Sequence, residues 1–115
     1  MPDKALVWLG SARRDLQAFP DTARRRSGFQ LRKVQQGLDP DDWKPMTGIG
    51  AGVREIRIQT DVAHRVFYVA TFEEAVYVLH GFEKKTRKTP PHDLNLARDR
   101  YRALLKKRAK DAKKK

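Results

Sequence analysis

The chain has no cysteine, which excludes disulfides, thiolate metal sites and cysteine nucleophiles. Its three histidines, His64, His80 and His92, are scattered, so no pair has the spacing of a zinc site. A phosphate loop of the GxxxxGK type and an HExxH helix are also missing. No metal and no cofactor are therefore expected. No wholly apolar stretch exceeds five residues, far short of the roughly 20 needed to span a bilayer. The N-terminus lacks the charged-then-apolar order of a signal peptide. No membrane association is expected, and a cytoplasmic location is the default. Two suggestive clusters fall away as well. The glycines of GIGAG (48–52) lead into a strand pattern rather than a helix, so they read as a flexible entry. Asp39, Asp41 and Asp42 lack the later glutamate that a calcium loop requires.

What is abundant is positive charge. Lysine and arginine number 26 against 14 acids, a net charge of +12. The last twenty residues hold ten bases and two acids, yet the rest of the chain is still basic. A basic body with a basic tail points to a polyanion, above all nucleic acid. At 115 residues and 39% hydrophobic content, one domain with one modest core is expected. The boundaries read as a domain over 1–105 and a basic tail over 106–115, where apolar periodicity stops and disorder is expected.

Periodicity orders the elements. Ala5–Leu9 suits a short strand, and Ser11 offers an N-cap that can accept from the first amides of a helix. Ala12, Leu16 and Phe19 form one helical stripe; Ala23, Ser27, Leu31, Val34 and Leu38 form a second after Pro20. Residues 39–52, with two prolines and three glycines, read as a loop. Val53–Thr60 alternates, with Arg54, Ile56 and Ile58 on one face and Glu55 and Arg57 on the other. His64–Phe72 and Ala75–Phe82 follow after short connections, so the three strands form an antiparallel meander. A last helix begins near His92 with Leu94, Ala97, Tyr101, Leu104 and Leu105 on its stripe. The order β-α-α-β-β-β-α predicts an α+β fold. Its helical hairpin and C-terminal helix would pack on one face of a twisted antiparallel sheet.

This topology gathers bases. The end of the last strand lies beside the start of the one before it, so Lys84 and Lys85 come near Arg65, and Arg57 joins them. Singly, each could be a surface ion pair or a solvated loop residue. Together, at least four like charges repel unless an anion completes the site. Crowding also lowers the pKa of a lysine toward the range useful for proton transfer. Such a site, with neither histidine nor carboxylate, suits attack of a ribose 2′-hydroxyl on its own phosphate. His80 shares the strand parity of Val76 and Val78. It reads equally as a hydrogen-bonded core residue and as a site residue. Tyr68 and Tyr77 read as packing residues.

Several blocks resemble the RelE/ParE superfamily of toxins from type II toxin–antitoxin modules, in its HigB-like, phage-derived branch. They are VWLGSARRDLQAFP, VQQGLDPDDWKPMTGIGAGVREIRI, HRVFYVATFEEAVYVLHGFEKKTRKTP and DLNLARDRYRALL, together spanning about Ala5 to Leu105. VYVLHGFEKKTRKTP is the most specific. The resemblance implies a ribosome-dependent mRNA endonuclease that inhibits translation, without a metal. It implies a helix-turn-helix antitoxin of the HigA type, and operator DNA contacted only through that antitoxin. Arg57, Arg65, Lys84 and Lys85 match its catalytic basic residues, and Arg54, His80, Arg87 and Lys88 would contact RNA. Many relatives carry an acidic or aromatic helper near the C-terminus, where this chain offers only Tyr101. Two alternatives stand beside this reading: a ParE-like gyrase inhibitor, and an RNA- or DNA-binding module without catalysis.

Overall fold

A computed structural model describes residues 3–113. Lys114 and Lys115, the end of the expected tail, lie outside the described residues. The elements are β1 (Ala5–Trp8), α1 (Ala12–Gln17), α2 (Asp21–Gln35), β2 (Trp43–Pro45), β3 (Val53–Gln59), β4 (Ala63–Val69), β5 (Ala75–Lys84) and α3 (Pro91–Lys113). They build an α+β fold on a five-stranded sheet ordered β1-β5-β4-β3-β2. The meander β3–β4–β5 is antiparallel, as the short connections require.

Three features differ from the sequence expectation. β1 pairs parallel to β5, so the sheet is mixed; α1 and α2 carry the chain from β1 across one face to β2 at the opposite edge. Residues 43–45, within the expected loop, form β2 against β3. The helices cover both faces rather than one. Ala12, Leu16, Ala23, Leu31 and Val34 of α1 and α2 pack on Ile56, Ile58, Val66, Val76 and Val78. Ala97, Tyr101 and Leu104 of α3 pack on Val53, Phe67, Val69 and Leu79 from the other side. A central sheet whose strands are apolar on both faces has to be covered twice.

Local chemistry sets the ends of the elements. α2 stops in a Schellman motif: Leu38 N–H donates to the Lys33 carbonyl and Gly37 N–H to that of Val34. Gly37 supplies the required positive φ of 85°. The Ser11 hydroxyl does not cap α1 through its amides. It donates to Asp15 and accepts from Arg100, tying α1 to α3. α3 does not end with its apolar stripe but continues to Lys113. Alanine and lysine favour that extension, and Arg108 anchors it by bonding Glu74 and lying 3.8 Å over the Phe72 ring.

Candidate active site

On the face that α3 covers, each central strand passes from apolar to charged residues. β3 runs Val53, Glu55, Arg57; β4 read backwards runs Val69, Phe67, Arg65; β5 ends Phe82, Lys84. α3 packs over the apolar half, and the other half holds the charges. The register sets Arg57 directly opposite Arg65, and Lys84 opposite Ala63, two residues from Arg65. β2 adds a fourth cation, because Lys44 lies opposite Glu55.

These groups surround one carboxylate. Glu55 is wholly buried. Its Oε1 lies 3.4 Å from Arg57 Nε, 3.6 Å from Arg65 Nε and 4.0 Å from Lys44 Nζ. Arg65 is itself mostly enclosed, its side chain 13% exposed, and its Nη1 donates to the His64 carbonyl at 3.1 Å. Arg57 is more open and lies 4.0 Å from Asp42. Burial holds the Lys84 ammonium below the ordinary lysine pKa; Arg65, Lys44 and Arg57 push the same way and Glu55 opposes them. Four cations against buried Glu55 and exposed Asp42 leave an excess of two positive charges. At about 4 Å and an effective dielectric near 20, each would attract a phosphate charge by about 4 kcal/mol before desolvation. The arrangement can hold a phosphodiester, stabilise added negative charge on it, and exchange a proton at Lys84.

The structure brings Arg57, Arg65 and Lys84 together. Lys85 faces away, 79% exposed, with its Nζ 3.4 Å from Glu83. Arg87 and Lys88 lie in the exposed segment beyond β5, where Thr86 bonds the Lys88 carbonyl. Arg54 sits on the opposite sheet face, bonded to Asp39 at 2.9 Å and 3.8 Å over the Trp43 ring. There it lines a separate cavity of about 230 Å³ with Lys4 and Tyr68.

His80 is buried, and not on the face its parity suggests. Phe67 pairs with His80 and Tyr68 with Val78, so Leu79 is the extra residue of a β-bulge. The bulge turns His80 toward Phe67 and Phe82, away from the face of Val76 and Val78. Its Nε2 bonds Asp93 at 2.6 Å and its Nδ1 lies 3.5 Å from Asp15, linking β5 to α3 and α1. Tyr101, the one aromatic helper available near the C-terminus, donates its hydroxyl to the Ala51 carbonyl within the core.

Sequence reasoning missed Lys44 and Glu55. Lys44 was hidden inside an apparent loop. The parity of Glu55 with Arg57 was visible, but its burial was not.

Among curated proteins nothing matches the chain. A family model described as Phage derived protein Gp49-like (DUF891) matches residues 14–102, a span that contains all five residues of the cluster. Among the described residues no helix is long and apolar enough to cross a membrane. The chain belongs to the Gp49-like family of phage-derived proteins, a RelE/toxin-like family associated with the toxins of toxin–antitoxin modules.

Proposed function

We propose that this protein is the toxin of a type II module, an endoribonuclease that cuts mRNA on the ribosome and so stops translation. The observation that carries the reading is the convergence of Lys44, Arg57, Arg65 and Lys84 around one carboxylate at the open end of the sheet. In this reading the 2′-hydroxyl oxygen attacks the adjacent phosphorus and the bond to the 5′-oxygen breaks. The products are a 2′,3′-cyclic phosphate and a 5′-hydroxyl end. Arg57 and Arg65 hold phosphate oxygens through the five-coordinate state, where charge is greatest. Lys84, whose ammonium burial holds below the ordinary lysine pKa, is the group suited to proton exchange with the reacting oxygens. Lys85, Arg87 and Lys88 extend the basic surface along the RNA, whereas Arg54, paired with Asp39 on the opposite sheet face, lies apart from it. His80, tied to Asp93, supports the strand that delivers Lys84.

The partner that restrains this activity is a helix-turn-helix antitoxin of the HigA type, through which alone operator DNA is contacted; the toxin itself belongs to the HigB-like branch. Purified protein added to translating ribosomes should produce mRNA fragments with 5′-hydroxyl and cyclic phosphate ends. Binding to ribosomes or RNA with no new ends would overturn the nuclease reading in favour of a binding module. Loss of gyrase supercoiling activity with intact mRNA would favour a ParE-like inhibitor.

A further inference from the structure

We infer that Glu55 is a positioning residue: it aligns the guanidinium groups of Arg57 and Arg65 for the transition state and weakens ground-state binding of RNA. The inference rests on the proposed nuclease activity and assigns a role within that site. Glu55 cannot act on the ribose directly, because its side chain is wholly enclosed. Its effect has to pass through the groups above it. Both arginines turn the same edge toward Glu55, Nε at 3.4 and 3.6 Å from Oε1. Among the described residues neither Nη2 makes a hydrogen bond, so one end of each planar fork remains for a phosphate oxygen. A carboxylate between two facing guanidinium groups, hydrogen-bonded to Arg57 Nε and within ion-pair distance of Arg65 Nε, restricts their relative tilt more than two lysine ammonium groups would allow.

Two buried polar atoms have no hydrogen-bond partner at this point, Glu55 Oε2 and Arg65 Nε. A carboxylate that served stability alone would be expected to have both oxygens bonded, because burying an incompletely paired charge is costly. Glu55 also removes one positive charge from a cluster whose first task is to attract a polyanion. It therefore opposes binding while it orders the donors.

The test uses the full-length protein and Glu55→Gln, which keeps the shape and deletes the charge. Binding is read on programmed ribosomes whose mRNA carries a 2′-deoxynucleotide at the cleaved position. Cleavage is read in single turnover on the matching ribonucleotide message. The expected result is opposite in sign: about five- to tenfold tighter binding from the added net charge, with cleavage about a hundredfold slower from lost alignment. Unchanged cleavage overturns the inference, and so does a parallel fall in both with a lower melting temperature. Should Glu55→Gln not fold, Glu55→Asp keeps the charge and withdraws it by one methylene. Near-normal binding with slowed cleavage then supports the role, and normal cleavage overturns it. Wild-type protein that binds these ribosomes without cutting would refute the nuclease reading and this inference with it. Wild-type protein that cuts, with Glu55 variants that cut equally well, refutes this inference alone.

Discussion

Replacing Arg65 by lysine separates holding a phosphate from stabilising its transition state. Arg65 is 13% exposed, its Nε lies 3.6 Å from Glu55, and its Nη1 bonds the His64 carbonyl. A lysine there keeps a positive charge beside Glu55, so the buried carboxylate is not orphaned. That avoids the 3–5 kcal/mol typical of breaking a buried pair. The bond to His64 is lost, worth about 1 kcal/mol, and the protein should remain folded. Ground-state attraction to RNA should also survive, because it depends on charge more than on shape. What lysine cannot reproduce is the planar pair of donors. The phosphate oxygens gain charge and shift as phosphorus becomes five-coordinate, so a rigid fork counts most at that point. Loss of one such donor set costs on the order of 3–4 kcal/mol, a hundredfold or more in rate. The assay is single-turnover cleavage on programmed ribosomes beside equilibrium binding, with a melting curve as control. A large fall in cleavage with binding held within about threefold of wild type is expected. Equal losses in the two would make Arg65 a binding residue. Near-normal cleavage would refute the reasoning.

The other predictions follow from neighbouring contacts. Lys84→Ala should abolish toxicity in a growth assay, whereas Lys85→Ala, which removes an outward-facing side chain, should reduce it only partly. Both should melt within about 0.5 kcal/mol of wild type. Arg100→Met should leave the Leu79 carbonyl without its donor at 2.8 Å. Denaturant titration should show a loss of about 1–3 kcal/mol, with slowed cleavage because the bulge no longer holds the end of β5. Glu74 has its pKa lowered from 4.5 to about 2, first by the Arg108 hydrogen bond and then by Tyr77. A depressed carboxylate stabilises the fold above its unfolded pKa and loses that effect as pH falls through the folded one. NMR shifts of residues 106–113 should therefore report unwinding of the end of α3 as pH falls from 4.5 to about 2, and Glu74→Gln should show it at neutral pH.

Much of the site was legible because a strand has a fixed period. The alternation over Val53–Gln59 put Glu55 and Arg57 on one face and Arg54 on the other, and the structure keeps that division. Short connections fixed β3, β4 and β5 as neighbours, which brought Arg57, Arg65 and Lys84 to one end. Lys44 was not legible. Trp43-Lys44-Pro45 is too short for a periodic signal, and it becomes a strand only by pairing with an edge that β3 provides. The partner of β1 was hidden for a related reason: four apolar residues signal a strand, not which neighbour it takes or in which direction, and β1 lies half-exposed at the sheet edge.

The bulge at Leu79 is the feature on which the site depends most and which periodicity alone misplaces. Strict alternation from Val76 and Val78 would carry His80, Phe82 and Lys84 onto the face covered by α1 and α2. There the Lys84 ammonium would extend from the sheet face opposite Arg65. One extra residue reverses the parity of everything after it, and Phe82 joins the α3-side core while Gly81 takes the α1 side. Gly81 leaves room there for the Leu16 side chain, which a Cβ would force to shift. The orphaned Leu79 carbonyl is met by Arg100, which also bonds Ser11. A bulge without such a donor would leave a buried carbonyl unpaired and would favour regular pairing. The same helix that covers the apolar half of this face thus fixes the irregularity that turns Lys84 into the charged half. Lys84 joins Arg57 and Arg65 through a defect in the strand pattern, held in place more than two turns along α3 from its start at Pro91.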